Sequence, residues 1–504
     1  MQQPTAVKIL MLFRADSFIL LSHISLLIAQ QTFEKTISKP EDQKINSIIE
    51  DSLGNYCMVG KVKNISTGLY SGYIVKIDSL GSLIEEKEFQ GSDTTYALFY
   101  SIHYINNKYY VFGAKSIEYP QITKLWFLQL DENLEIENEK LLSIPMSKWI
   151  SYMNSIFDSD SNFVITGYTT RDDTNHNGNH FYNNDAFFYK LNISGDSINS
   201  VFYTSYVPYH FSFDIIESQD SSRYYSFVSH FTNVFGTSGQ MLTLNKNFDS
   251  LDIDSIPLDV YDFYSPVYIN QNKLLICGKR GAEPPNDYAL NVLTITDSCE
   301  LINYNTFKKH NLRDYPVMHR GISKNENNIY IGGTSNFDYT NPFWSTFDSW
   351  FHLIKINPDI TPVWEYWYGG DAYYVLYSIL ATSDGGCIMV GNRYDYETQD
   401  MERDIYIVKV NSDGLITWTQ EIPIYKKLVT VYPNPGINIL NIKTNQNHKN
   451  VNFELVNING QVVLKQLLYS NILSLNVDIL KPGIYFYRLT ENNKIIETGK
   501  WIKK

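Results

Sequence analysis

The sequence predicts an all-β protein. Three observations carry that prediction: a heavy load of aromatic residues, one β-rich phrase that returns seven times, and an abrupt change of charge near residue 426. The 504 residues include 39 Tyr and 27 Phe, and aromatic side chains suit a pleated, half-buried sheet. A chain of this length has room for more than one domain.

The repeated phrase is an apolar strand pair ending in a small residue, a variable loop, a further apolar strand, and an Asp/Asn turn. Ser47–Gly60, "SIIEDSLGNYCMVG", and the following "GYIVKIDSLGSLIEEKEF" give its form. The small residue closing each second strand serves as a ruler: Gly60, Gly113, Gly167, Ser229, Gly278, Gly332 and Gly391, at intervals of 53, 54, 62, 49, 54 and 59. Seven units, each with four strand-like runs, match the blades of a propeller. The period is too long for a β-solenoid, and a single repeated phrase disfavours two β-sandwiches. Runs such as Tyr73–Ile77 and Ile405–Val410 read as strands covered on both faces. The predicted fold is a seven-bladed β-propeller over residues 30–425, followed by a small immunoglobulin-like β-sandwich over 426–504. The repeats resemble the Asp-Gly-Gly-Tyr propeller repeats of secreted bacterial proteins, Asp384-Gly385-Gly386-Cys387 being the nearest copy. Ring closure stays open at this level. Thr32–Lys39 reads as an outer strand that could join the last blade, which would leave a strand near Ile416–Ile422 surplus.

Charge marks the domain boundary. Residues 426–504 hold 11 basic and 4 acidic residues, net +7, whereas the rest carries 30 and 50, net −20. An acidic propeller repels phosphate backbones, so nucleic acid is excluded as a partner. At the N-terminus, Lys8 and Arg14 precede an apolar run from Ser17 to Ala29. That run is too short to span a bilayer and reads as the core of a signal peptide, residues 1–29. Asp16 at its edge and Leu27 near the cleavage point depart from the usual pattern, and Met11 is an alternative start. No other run is long and apolar enough for a transmembrane helix.

The terminal domain carries Tyr432-Pro433-Asn434-Pro435, an alternating strand at Ile437–Ile442, and Val456–Val463 with its Asn459-Gly460 turn. Leu480-Lys481-Pro482-Gly483-Ile484-Tyr485 and the ending Gly499-Lys500-Trp501-Ile502-Lys503-Lys504 complete the set. Alternation and turn chemistry make this an antiparallel sandwich. Together the motifs resemble the type A sorting domain of type IX secretion. The resemblance implies export through the periplasm, recognition by an outer-membrane translocon, removal by a sorting peptidase, and release or attachment at the cell surface. Its sorting residues would be Tyr432, Pro433, Asn434, Pro435, Gly460, Gly483, Tyr485, Gly499 and Lys500.

No HExxH, Gly-x-Ser-x-Gly, P-loop or Gly-x-Gly-x-x-Gly is present, and no catalytic residue is assigned. Cys57, Cys277, Cys299 and Cys387 show no zinc spacing and read as core; a Cys57–Cys387 staple is disfavoured by their offsets. Blade topology gathers the loops between second and third strands at one end of the channel. Thr169–Asn184, Thr334–Asp348 and Arg393–Arg403 are the long ones, the places where binding residues concentrate. No cofactor is required, though Asp173, Asn175 and Asn177 match half of a calcium loop, with Asp185 as a further oxygen ligand. The closing Glu of that motif is absent, and an Asn-rich turn is the plainer reading, as it is for His176 and His180. Phe343, Trp344, Phe347 and Trp350 in blade six offer rings for stacking on a ligand, against burial between blades along with Trp364 and Trp367. The expectation is a non-enzymatic binding or adhesion propeller with a glycan or surface-protein ligand. The alternative is a polysaccharide hydrolase or lyase with carboxylates from several blades meeting at the channel mouth; if the aromatic rings prove buried, any activity is expected at the acidic loops around Asp172, Asp173, Asp400 and Asp404.

Overall fold

The computed structural model describes residues 30–504 except 65, 91–95, 117–122, 145–148, 175–179, 204–208, 233–235, 263, 281–288, 310–311, 399–400, 418–428, 445–450, 458–459, 471 and 492–493. The expected signal peptide therefore lies outside the described residues. The chain forms two compact units, the first ending at Trp418 and the second beginning at Thr419.

The first unit is a ring of seven antiparallel blades. Blade one is Asp42–Glu50, Tyr56–Lys63, Tyr70–Ile77 and Leu83–Phe89; blade two is Tyr96–Ile105, Lys108–Ser116, Thr123–Leu130 and Ile136–Leu142. Blade three is Trp149–Phe157, Asn162–Thr174, His180–Asn192 and Ser197–Tyr203; blade four is Tyr209–Glu217, Arg223–Thr232, Gly236–Asn245 and Ser250–Ser255. In blades five and six the first strand is split, into Val260–Tyr261 with Val267–Asn270 and into Asp314–Pro316 with Ile322–Lys324. Their remaining strands are Lys273–Arg280, Leu290–Ile295 and Leu301–Phe307, then Ile329–Ser335, Trp350–Ile356 and Pro362–Gly369. Blade seven is Tyr373–Ala381, Cys387–Tyr394 and Asp404–Val410, completed by the N-terminal strand Phe33–Ile37. Ring closure is thus decided: Phe33 pairs with Lys409 and Ile37 with Ile405. Ile416 and Thr417 are not in a strand, although Thr417 N–H donates to the Thr32 hydroxyl at 2.9 Å.

The ruler residues acquire a physical reason here. The first strand of each blade lines the axis, and it bulges in blades one, two, three, four and seven. A bulge turns the strand and re-aims a side chain. At Gly60, Gly113, Gly167 and Gly391 a Cβ would overlap the carbonyl oxygens of Lys44, Leu98, Tyr152 and Val375 on the first strand. The second strand must therefore be bare where the first one kinks.

Blades are also clasped to their neighbours. Third-strand lysines reach the next blade's turn: Lys76 Nζ to the Glu132 carbonyl at 3.1 Å, Lys190 to Lys246 at 2.8 Å, Lys355 to Ser412 at 3.0 Å. Second-strand tyrosines donate backwards, Tyr109 to Asp51 at 2.8 Å and Tyr224 to Asp158 at 2.6 Å. The cysteines are free and buried, and burial pushes their thiols up, Cys299 to about 12.

The second unit is a two-sheet sandwich. One sheet is Val429–Tyr432, Ile439–Thr444 and Ile472–Asn476; the other is Val462–Leu467, Val451–Val456, Gly483–Glu491 and Lys494–Lys503. Leu440, Ile442, Val451, Phe453, Leu455, Tyr487, Leu489 and Trp501 fill the space between them.

Gly60→Ala is expected to lower stability by about 2–3 kcal/mol through forced backbone displacement. Gly54→Ala, in an open turn at φ +78° with nothing within 4 Å of the new Cβ, should cost about 1 kcal/mol from left-handed strain. Denaturant unfolding of both variants checks the order.

Candidate functional site

The long-loop end of the channel collects cations and aromatic rings. Lys44 lies near the start of the first strand of blade one and Lys61 near the end of the second, level with each other in the register. Arg403 immediately precedes the third strand of blade seven. It makes a buried two-pronged ion pair with Asp42, Nε to Oδ1 and Nη2 to Oδ2 both at 2.7 Å. The loop of blade six lays its rings against this group. The Arg403 guanidinium is 4.6 Å from the Trp344 ring centre and 5.3 Å from that of Phe343. Lys44 Nζ is 4.4 Å from the Tyr377 ring and 5.8 Å from Phe343, and Lys61 Nζ is 4.2 Å from Tyr70. Ring faces attract cations, yet neither lysine has a carboxylate or hydrogen-bond partner among the described residues. Burial, with Lys61 and Arg403 nearby, holds the Lys44 ammonium well below the usual lysine range. Burial followed by Arg403 brings Lys61 down to about 8. An acidic propeller thus has a cationic mouth.

Behind the mouth the axis is filled. The inward-turned rings of Tyr100, Tyr152, Phe213, His319 and Tyr377 pack on one another. Tyr152 stacks on His319 at 5.0 Å and meets Phe213 at 5.4 Å, and His319 lies 6.4 Å from Tyr377. Tyr152 donates to the Met318 carbonyl at 2.9 Å and Tyr100 to Ile150 at 3.1 Å. Tyr100, Phe213 and Tyr377 are the extra residues of bulges.

The aromatic residues singled out in blade six separate into two groups. Phe343 and Trp344 stand at the mouth, half-buried, with Trp344 edge-on to Tyr394 at 5.0 Å. Trp350 does not join them. It begins the third strand of its blade, packed against Gly370 and beneath Lys309 Nζ at 3.5 Å. Phe347 is exposed beside Tyr373. Trp367 stacks on His352, and Trp364 donates to the Ser412 carbonyl of blade seven. The cations were missed from sequence because Asp42 and Arg403 are 361 residues apart; the only signal was polar residues on a strand meant for the axis.

The blade-three loop is a hairpin extension instead of an open loop, since the strands pair as far as Thr174 and His180. Asn175, Asn177 and His176 lie outside the described residues, as do the side chains of Asp172, Asp173 and His180. Asp185 is buried opposite Thr169, while Asp173 lies opposite Phe181. Four positions along a strand separate those two aspartates, about 13 Å of backbone. Asp400 is outside the described residues, and Asp404 begins a strand of blade seven. Among the described residues, Asp158, Asp160 and Glu217 are close enough to share a cation, but Lys246 Nζ already sits on them, 3.0 Å from Asp160 and in contact with Glu217.

In the second unit the Pro433–Asn434 segment meets the last strand at Lys500–Ile502. Asn434 donates to the Lys500 carbonyl at 2.8 Å and accepts from Ile502 N–H at 3.0 Å. Trp501 Nε1 donates to the Pro433 carbonyl at 2.8 Å. Gly499 leaves room for the Tyr487 ring, and Tyr485 donates to the Lys481 carbonyl at 2.8 Å. Gly460, at φ +80°, donates to the Asn457 carbonyl in the hairpin turn. Residues 430–504 match the family described as the secretion system C-terminal sorting domain. The terminal unit is a sorting domain. The chain is therefore exported by type IX secretion to the cell surface or beyond, and the sorting domain engages that machinery.

No curated protein matches the chain. Among solved structures it is similar to the β-propeller domain of the trilobed protease from Pyrococcus furiosus, at 11% identity and TM-score 0.40, covering 77% of this chain and 99% of that one. It is also similar to the acylaminoacyl peptidase of Pyrococcus horikoshii (11%, TM-score 0.41, 80% and 58% covered). A fungal alcohol oxidase of the AA5 family gives 9%, TM-score 0.42, with 94% and 99% covered. Likenesses at this level carry no chemistry across.

Deleting the sorting domain should trap a folded propeller in the periplasm, because its core uses none of those residues; fractionation with limited proteolysis reads both halves of that statement. Trp350→Ala should cost about 2 kcal/mol, less than a fully buried Trp, and Trp344→Ala about 1 kcal/mol, as thermal melts of the two variants would show.

Proposed function

We propose that the propeller is a non-enzymatic binding module whose ligand is an acidic glycan, held at the cationic mouth. One observation carries this reading: Lys44 and Lys61 stand half-buried beside aromatic faces with no ion-pair or hydrogen-bond partner among the described residues, in a unit that is otherwise strongly acidic. The Lys61 ammonium and the Arg403 guanidinium against the single carboxylate of Asp42 leave an excess positive charge. A uronate or sulfate group on a sugar supplies the missing anion, and Phe343 and Trp344 offer surfaces to the ring that bears it. Held within one rigid ring, the groups need little reordering on binding.

Hydrolysis of a polysaccharide at the same mouth would call for two free carboxyl groups roughly 5–9.5 Å apart. Three carboxylates on this face are engaged, Asp42 with Arg403, Asp262 with Lys279 at 2.9 Å and Asp338 with Ser345 and Thr340 of its own loop, and Asp404, whose buried Oδ1 has no hydrogen-bond partner, would be one carboxyl group where two are needed. That supports binding over catalysis. Release from the cell or display on it is compatible with this role, and the sorting domain serves either.

Titration calorimetry of the full chain with polygalacturonate, a sulfated glycan and a neutral glucan tests the reading. The acidic polymers should bind and the neutral one should not, and Lys44→Gln or Trp344→Ala should weaken binding about tenfold, the scale of one lost charge-assisted contact. Affinity should fall as pH rises through about 8, where Lys61 loses its proton. The unliganded protein should behave oppositely. Because the folded pKa of Lys61 lies below the unfolded value of about 10.4, the unfolded chain binds the extra proton between the two, and stability rises with pH across that window. Equal binding of the neutral glucan, or an unaffected Lys44→Gln variant, would sink the proposal.

A further inference from the structure

A second compartment lies further along the axis, towards the short turns. It is a cavity of ≈ 280 Å3 walled by the first strands of blades three to six, with Asn154, Asp214, Ser265, His319, Arg320 and Ser323 among its lining. Arg320 is bridged to Ser378 of blade seven. Taking the ruler glycines Gly60 and Gly391 as equivalent points, Ser378 is three residues beyond the counterpart of Lys44. That is roughly 10 Å along a strand, past the level of Tyr377 in the aromatic plug. The cavity is therefore distinct from the cationic mouth.

Most of its polar lining is engaged, and the side chains of His319, Arg320 and the exposed Lys324 are the ones without a hydrogen bond among the described residues. Asn154 donates to Asp214 Oδ1 at 2.6 Å and accepts from Ser155 N–H at 2.8 Å. Asp214 Oδ2 accepts from Ser265 N–H at 2.9 Å. The hydroxyl oxygens of Ser265 and Ser323 accept from Gly321 N–H at 2.7 Å and Ala381 N–H at 2.9 Å. Ser155 is shared between Ser101 at 2.6 Å and His103 at 2.8 Å. Arg320 uses its carbonyl, which accepts from Ile379 N–H, but its guanidinium has no hydrogen bond or ion pair among the described residues. Asp214 influences it electrostatically without approaching to ion-pair distance, and both Asp214 oxygens are occupied elsewhere. Arginine stays charged in proteins and presents five donors in a planar fork. A guanidinium set among protein walls without an anion bears a desolvation cost that a bound oxyanion offsets.

We propose that this cavity is a binding site for a small solute carrying a carboxylate, sulfate or phosphate group, with Arg320 as the residue that grips the oxyanion. Its volume lies at the lower edge of small-molecule pockets, roughly 300–1,000 Å3, so the occupant is one compact solute, of monosaccharide size, and not a polymer. The assignment is independent of the glycan reading at the mouth.

The test is calorimetric titration of the full chain with sodium galacturonate, sodium sulfate and sodium phosphate, ionic strength being held constant with chloride. At least one probe should saturate a single site, and the probe that does so identifies the oxyanion. Arg320→Gln should weaken that binding at least tenfold and Arg320→Lys by less, while Lys44→Gln and Trp344→Ala leave it within twofold. Should Arg320→Gln fold poorly, Val267→Phe adds bulk to the lining while keeping the cation, and the same loss is expected. Absence of saturable binding for all three probes overturns the site, as does undiminished binding in Arg320→Gln or Val267→Phe. Loss with Lys44→Gln in place of Arg320→Gln places the anion at the mouth and overturns it equally.

Discussion

Closure of the ring is the constraint on which the rest of the propeller depends. Seven blades with an unpaired edge would leave the third strand of the last one open. The strand Phe33–Ile37 covers it, so the chain's first strand completes its last blade. The closure is reinforced beside the axis, where Asn392 donates to the Gln43 carbonyl at 2.7 Å and Asp42 grips Arg403. At the short-turn end Ser383 is held by Glu50. Because Asp42 opens blade one and Arg403 belongs to blade seven, the same contact that seals the ring also sets the guanidinium beneath Trp344. Stability and the candidate site therefore share a residue pair. A buried ion pair of this kind is a weak source of net stability, and its value here lies in registering the two ends of the ring.

A second constraint acts along the axis. Bulged first strands turn Tyr100, Phe213 and Tyr377 inward, and the bare ruler glycines admit the kinks. The resulting plug of rings stands across the axis between the mouth and the cavity. Cations stand on both sides of it without an ion-pair partner among the described residues, Lys44 with Lys61 at the mouth and Arg320 in the cavity beyond. His319, between them, is held neutral by burial and by Lys44, which keeps a further charge off the axis. Negative charge is spread instead over outer strands and turns, where Lys39, Lys87, Lys108 and Lys140 pair with Glu86, Glu135, Glu137 and Asp196. Such exposed pairs contribute little individually, but they leave the axial field to the cations.

The sorting domain solves a different problem with similar means. Its motif pieces are far apart in the chain, yet the Tyr432–Pro435 segment is bound along the last strand, 68 residues on, by Asn434 and by the Trp501 indole. Gly499 is bare because the Tyr487 ring lies over it. Residues that look like an address label are thus also the ones that hold the small sandwich together.

The sequence by itself determined the all-β class, the seven units and their period, the break in charge, and the sorting domain. Each of these is a local property: strand alternation, turn residues and the ruler glycines act within a single blade, where the backbone hydrogen bonds of neighbouring strands are made. Phe343 and Trp344 were also legible as loop aromatics. What lay beyond reach was everything made by distant strands meeting. Trp350 could not be told from Trp344 because both belong to one loop-and-strand stretch, and only packing against Gly370 separates them. Nothing in the sequence sets Lys44, Lys61, Arg403 or Arg320 apart from the other basic residues; it is the ring that brings the first three together. Whether Thr32–Lys39 or Ile416–Ile422 completed the ring was equally undecidable, since both are plausible edge strands. Tertiary structure decided these points because pairing across the first and last blades, and the overlap of side chains on a shared axis, depend on where blades sit in space and leave no periodic trace along the chain.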